Sequence, residues 1–278
     1  MPIVVDSFMF FNEFDVLEGR LEYLYDHVDY FVLVESNITQ SGHTKPFHFM
    51  NNMTRYHKYL DKMLYFPFVT SRDAFPFDTR PAHERDYDTG PWRLENAQRN
   101  HIGEALKLFP EDALIMISDL DEIPHKECIK ICQENFSADW QAFAIEQDHF
   151  AYNFNQKQKV PIRGTTISTN KYALEQTPQG LRNIKYGFPM IPHGGWHLTY
   201  WGTVEDIQYK IETFAHQELN QDEFKDPDHI RQQILAGQDM FKRGYHEYTP
   251  VDRHAEIPED ILRIFGPLEK RLLDSLNV

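Results

Sequence analysis

The chain is 278 residues long, 41% hydrophobic and 14% aromatic, enough to bury a sizeable core as one large domain. Lys and Arg number 28 against 43 Asp and Glu, a formal net charge of −15, which argues against nucleic acid or an anionic membrane surface as the main partner. A local basic pocket for a phosphate is compatible with that balance.

In chain order, residues 2–11 read as a buried strand, and residues 13–28 place Phe14, Leu17, Leu21, Leu24 and Val28 at helical spacing. Residues 30–36 and 63–68 read as further strands, 92–109 as a helix and 112–118 as a strand. This alternation predicts a mainly parallel sheet covered on both faces. Pro124 suits the first turn of a helix over 124–136. The pattern then changes. Residues 141–154, 160–169 and 192–202 read as strands of an antiparallel or mixed extension, and 203–219, 228–241 and 259–276 are helical. No repeat or low-complexity linker divides the chain, so one domain, 1–278, is expected, with a nucleotide-binding half (1–124) and a mixed half (125–278).

The opening "MPIVVDSFMFFNE" lacks a basic region and is interrupted by Asp6 and Glu13, so no signal peptide is expected. No stretch approaches the roughly 20 apolar residues of a membrane span. Cys128 and Cys132 by themselves build neither a disulfide framework nor a zinc site. A soluble protein in a reducing, cytoplasmic setting is therefore expected. Sequons at Asn37, Asn52 and Asn135 matter only in a secreted chain.

The strand over 112–118 runs directly into Asp119, Asp121 and Glu122. Like charges that close repel and are costly to desolvate, so a positive partner is expected. In open parallel sheets, ligands sit beyond the carboxyl ends of the strands. Carboxylates at 119 and 121 can both reach a Mg²⁺ or Mn²⁺ ion or its waters, with substrate phosphates in the remaining positions. The structural alternative is that Asp121 or Glu122 caps the helix that follows.

The block from Phe8 to Phe49, "QRNHI", "ISDLDEIP", "GGWHLTYWG" and "AGQDMFKRG" resemble, in content and order, glycosyltransferase family 17, the β-1,4-mannosyl-glycoprotein 4-β-N-acetylglucosaminyltransferase family. The likeness runs over residues 3 to 245. It implies a GT-A fold, with a Rossmann-like nucleotide-binding half and a mixed acceptor-side half. It also implies a UDP-sugar donor carrying N-acetylglucosamine, a divalent cation (Mn²⁺ or Mg²⁺), inversion at the anomeric carbon and a glycan or glycoconjugate acceptor.

Carried over residue by residue, Asp119, Asp121 and His197 are the implied metal set, with Asp121 the more direct ligand and Asp119 nearer the ribose. Asn12, Glu13, Glu35 and Ser36 lie at strand ends that hold uridine in this fold. Arg99, Asn100 and Arg243, the last beside Lys242, are the implied donor contacts. Trp196 and Trp201 offer faces on which an acceptor sugar can stack, and Gly194 and Gly195 permit close backbone approach. An inverting transfer needs a base for the acceptor hydroxyl. The candidates are Glu205, preferred because it opens a helix after the glycine-rich strand, then Asp206 and Asp148. Thr203 and Asp206 also fit a capping box.

The chain departs from the animal enzymes in lacking an anchor and stem and in being poor in cysteine. A cytoplasmic enzyme is expected on that basis, with the Golgi lumen the alternative for a truncated catalytic domain. Two rival classes remain open on the sequence alone. One is a metal-dependent phosphohydrolase, the other a non-catalytic carbohydrate-binding protein.

Overall fold

The structure is a computed structural model that describes residues 1–77, 90–244, 247–249 and 251–276. Strand β1 (Val4–Phe10) pairs in parallel with β2 (Tyr30–Ser36), β2 with β3 (Met63–Phe68), and β1 with β4 (Leu114–Ser118). Alternate side chains divide these strands between two cores, as period two demands. Val4, Phe8, Phe31, Leu33, Leu114 and Met116 pack with Leu17 and Leu21 of α1 (Phe14–Leu24) on one face. Val5, Val32, Val34, Ile115 and Ile117 pack on the other. Burial on both faces is why β2 and β4 read as near-continuous apolar runs.

Helix α2 (Gly90–Asn100) and the short α3 (Ile102–Leu106) precede β4, so the helix expected over 92–109 is broken at His101. After β4 come the three-residue strand β5 (Glu122–Pro124) and α4 (Lys126–Glu134). Pro124 therefore ends a strand and does not open the helix. The cause is β5 pairing antiparallel with β10 (Gly195–Thr199), an edge position where a residue without an N–H is tolerated. The start of α4 is capped instead by His125, whose Nδ1 accepts from the Glu127 amide at 3.1 Å.

In the second half, β8 (Ile162–Thr169) pairs antiparallel with β4, and β6 (Ala142–Ala151) pairs antiparallel with β8. Small strands β7 (Lys157–Gln158), β9 (Met190–Ile191) and β11 (Tyr248–Thr249) complete it. The main path runs β11-β7-β6-β8-β4-β1-β2-β3, with β5, β9 and β10 off it. Helices α5 (Asn170–Gln176) and α6 (Pro178–Ile184) follow β8. Later come α7 (Val204–Thr213), α8 (Pro227–Ala236) and α9 (Glu259–Ser275). Helix α7 begins with a full capping box between Thr203 and Asp206 and ends at Thr213, short of the 219 expected. Among the described residues, no helix is long and apolar enough to cross a membrane.

The consequence for the site is local. Strand β10 lies parallel to β6 and antiparallel to β5, with His197 opposite Glu122. The Leu198 amide donates to the carbonyl of Asp121 at 2.8 Å. Strand β10 thus fixes the acidic loop from one side.

Candidate active site

The other side of that loop is fixed by Arg20. It lies on the core side of α1, between Leu17 and Leu21, and is fully buried. Its guanidinium grips Asp6 of β1 through Nε at 2.8 Å and Nη2 at 2.6 Å. Nη2 also meets Ser118 Oγ at 2.6 Å. Nη1 donates to the carbonyls of Asp119 (3.1 Å), Leu120 (3.0 Å) and Glu122 (2.7 Å). One buried cation thus collects the carbonyls of the loop, and the carboxylates are left to other partners.

Those partners are the positive groups that the clustered acids demand. Asp119 Oδ1 accepts from Arg99 of α2 at 2.9 Å, and its Oδ2 is bonded by Arg182 of α6. Arg182 also forks onto Glu122 at 2.8 and 2.9 Å, while Glu122 Oε2 accepts from the Asp119 amide at 2.9 Å. Asp121 stands apart. His197 Nε2 lies 3.3 Å from its Oδ1, and Lys210 Nζ of α7 lies 3.3 Å from its Oδ2 and 3.5 Å from Glu13.

Burial alone would raise the carboxyl of Asp119, but Arg182 and Arg99 overcome it and hold the group well below the ordinary range. Asp121 is lowered in the same way, burial being outweighed by Lys210 and His197. Glu122 is lowered by Arg182 against its own burial. His197 is raised: burial opposes its charge, and Asp121 more than restores it. Lys185, beside the same group, is pushed down to about 8, first by burial and then by Arg182.

A cleft of about 610 Å³ opens at the carboxyl ends of β1 and β4, lined among others by Glu13, Arg99, Asp119, Asp121, His197 and Arg243. A second cavity of about 330 Å³ shares Glu13, Asp121, Tyr200 and Lys210 with it, so these four side chains stand between the two spaces. Asn12 and Trp201 line the second cavity, where Trp201 packs edge-on against Phe154 with ring centroids 4.6 Å apart. Arg243 is held by Asp239 at 2.7 Å, and its neighbour Lys242 pairs with Glu223 outside the cleft lining.

Other expected residues are placed elsewhere. Glu35 is buried at the end of β2, where it accepts from Lys45 Nζ at 2.9 Å, the Phe49 amide at 3.1 Å and Tyr65 at 3.1 Å. It holds the β2–β3 connection and does not line the cleft. Ser36 Oγ accepts from the Ile38 amide at 3.2 Å, and Asn100 accepts from the Gln179 amide at 2.9 Å. Trp196 faces away from His197, against Tyr23 and His125 at 5.9 and 5.2 Å. Glu205 is exposed and lines neither cavity. Asp206 lines the second cavity while capping α7. Asp148 pairs with Lys157 at 2.9 Å.

A divalent cation implied by the sequence would have to be met by these side chains. No group of three or more His, Cys, Asp or Glu suited to a metal occurs among the described residues. Asp119 is engaged by two guanidinium groups, so the set narrows to Asp121 and His197. One carboxylate and one imidazole facing a common cleft fit Mn²⁺ or Mg²⁺ when phosphate oxygens and water supply the remaining positions. Arg20, Arg182, Lys185 and Lys210 were not legible as members of the site in the sequence. The one signal was Arg20, an unexplained charge on the apolar face of a helix.

Known proteins resemble this chain in sequence over most of its length. Rat and human proteins named β-1,4-mannosyl-glycoprotein 4-β-N-acetylglucosaminyltransferase are each 24% identical to the chain over 94% of its length. The chain spans about half the length of these relatives, 52% and 53%. The apo form of the glycosyltransferase GlyE from Streptococcus pneumoniae aligns with 99% of this chain and 63% of its own at 12% identity, with a TM-score of 0.35. The glycosyltransferase family 17 profile matches residues 2–259, and the chain belongs to that family.

Proposed function

We propose that the protein is an inverting, cation-dependent glycosyltransferase that moves a sugar, N-acetylglucosamine or a close relative, from a UDP-sugar to a hydroxyl of a glycan or glycoconjugate. The observation that carries this reading is the pairing of Asp121 with His197 at the head of a cleft that also contains Arg99, Arg182, Lys210 and Arg243. The parallel unit β3-β2-β1-β4 is then the nucleotide-binding half of a GT-A fold. Asp121 and His197 would hold Mn²⁺ or Mg²⁺, which when bound offsets charge on the leaving diphosphate. Lys210 and Arg243 add fixed positive charge there. The full engagement of Asp119 by two arginines argues against a phosphohydrolase that would use this aspartate as its nucleophile.

The second cavity is the acceptor's route in this reading. Trp201 lines it, and it shares Asp121 with the cleft. A base must be reachable from both spaces, and the carboxylates that line both are Asp121 and Glu13. Asp121 is taken by the cation, so Glu13, whose Oε1 lies 3.5 Å from Lys210 Nζ, replaces Glu205 as our candidate base. Glu13→Gln should lower kcat by at least about 10²-fold with folding intact, and near-normal turnover would return the role to Asp206 or Glu205.

Calorimetric titration of UDP, with and without Mn²⁺, tests the whole reading. Binding that requires Mn²⁺ and collapses in Asp121→Asn is expected. UDP binding indifferent to both the metal and the substitution would show that the acidic loop is purely structural.

A further inference from the structure

We infer, resting on the metal and nucleotide reading above, that Lys210 is a positioning residue that holds the cation's place on Asp121, so that metal and nucleoside diphosphate bind together and neither binds well alone. Both oxygens of Asp121 are engaged by the protein itself. Lys210 Nζ lies 3.3 Å from Oδ2, and His197 Nε2 lies 3.3 Å from Oδ1. A dication on this carboxylate stands within a few ångströms of the ammonium, and the two repel strongly in a partly buried wall. Metal arriving alone must therefore displace Lys210 with no negative charge added to the wall.

The wall contains the means of compensation. Glu13 Oε1 lies 3.5 Å from the same ammonium, so Lys210 has a second carboxylate within reach of a small side-chain movement. Lys210 also lines both cavities and sits 5.6 Å from the ring of Tyr200. The capping box at Thr203 fixes the start of its helix. A diphosphate entering the cleft brings negative charge that satisfies both cations at once. Asp121 can then pass to the metal while the ammonium turns to Glu13 or to a phosphate oxygen. The coupling is reciprocal by linkage: UDP tightens Mn²⁺ by the factor with which Mn²⁺ tightens UDP.

The test is a titration of Mn²⁺ followed by the spin resonance of the free ion, with and without saturating UDP. It is run on the wild type, Lys210→Met and Lys210→Arg. In the wild type, UDP should tighten Mn²⁺ on the order of ten- to a hundredfold. Lys210→Met should bind Mn²⁺ alone roughly tenfold more tightly and lose a similar factor of coupling. Lys210→Arg, which keeps the charge, should restore most of it. Lys210→Gln keeps a donor without the charge and reports the same loss if the methionine variant folds poorly. Equal Mn²⁺ affinity and equal coupling in wild type and Lys210→Met would reduce Lys210 to an ordinary ion pair and overturn this inference alone. A wild type that takes up no Mn²⁺ even with UDP would overturn the metal reading and this inference with it.

Discussion

Arg20, fully buried, makes six hydrogen bonds to Asp6, Ser118 and the carbonyls of the acidic loop. Removing one member of a buried pair leaves an uncompensated charge, a loss on the order of 3–5 kcal/mol. Arg20→Met is therefore expected to lower the unfolding free energy by that amount. The double variant Arg20→Met with Asp6→Leu should recover part of it. A single variant within 1 kcal/mol of wild type by urea titration would show that the network does not support the loop. The sequence disclosed the acids, because three carboxylates after an apolar strand are conspicuous. It did not disclose their partners. Arg182 is 63 residues from Asp119, and Lys210 is 89 residues from Asp121. Such pairings depend on where helices of the second half come to rest, which no local pattern encodes.

Elements separate along the same line. The strands β1, β2 and β4 were legible because each is buried on both faces, and the half-buried edge strand β3 because its six residues are apolar. Strand β5 was not, since three residues lack a period and its pairing with β10 is non-local. That pairing depends on Gly195, whose φ is +152° and where an added Cβ would lie 2.2 Å from the Ile123 carbonyl oxygen. Gly195→Ala should destabilise the protein by about 2–4 kcal/mol. It should also weaken Mn²⁺-dependent UDP binding, because β10 carries His197 into the site. Gly187→Ala is the control, for nothing lies within 4 Å of its added Cβ. If both variants melt together and bind UDP alike, the β5–β10 contact does not set the position of His197.

At the scale of the molecule, the net charge of −15 conceals a cleft side rich in cations. The composition could not reveal this, because charge counts carry no positions. Arg99, Arg182 and Lys185 gather around Asp119 and Glu122, and the third of these cations carries the cost of the crowding. Burial first, and Arg182 second, push Lys185 down to about 8 from 10.5 in the unfolded chain. Between those values the unfolded state binds more protons than the folded one, so stability rises with pH across that window. Below pH 8 the cost of the buried ammonium is borne in full, and above 10.5 it vanishes. Lys185→Met removes the titrating group. Its stability relative to wild type should be greatest near pH 7 and should decline by about 2–3 kcal/mol on going to pH 10. Denaturant titrations at several pH values measure the difference directly, with the lost packing of the side chain cancelling between them. Parallel curves for the two proteins across that range would mean that Lys185 is well solvated. The cationic side of the cleft would then be held without a buried, partly neutralised lysine.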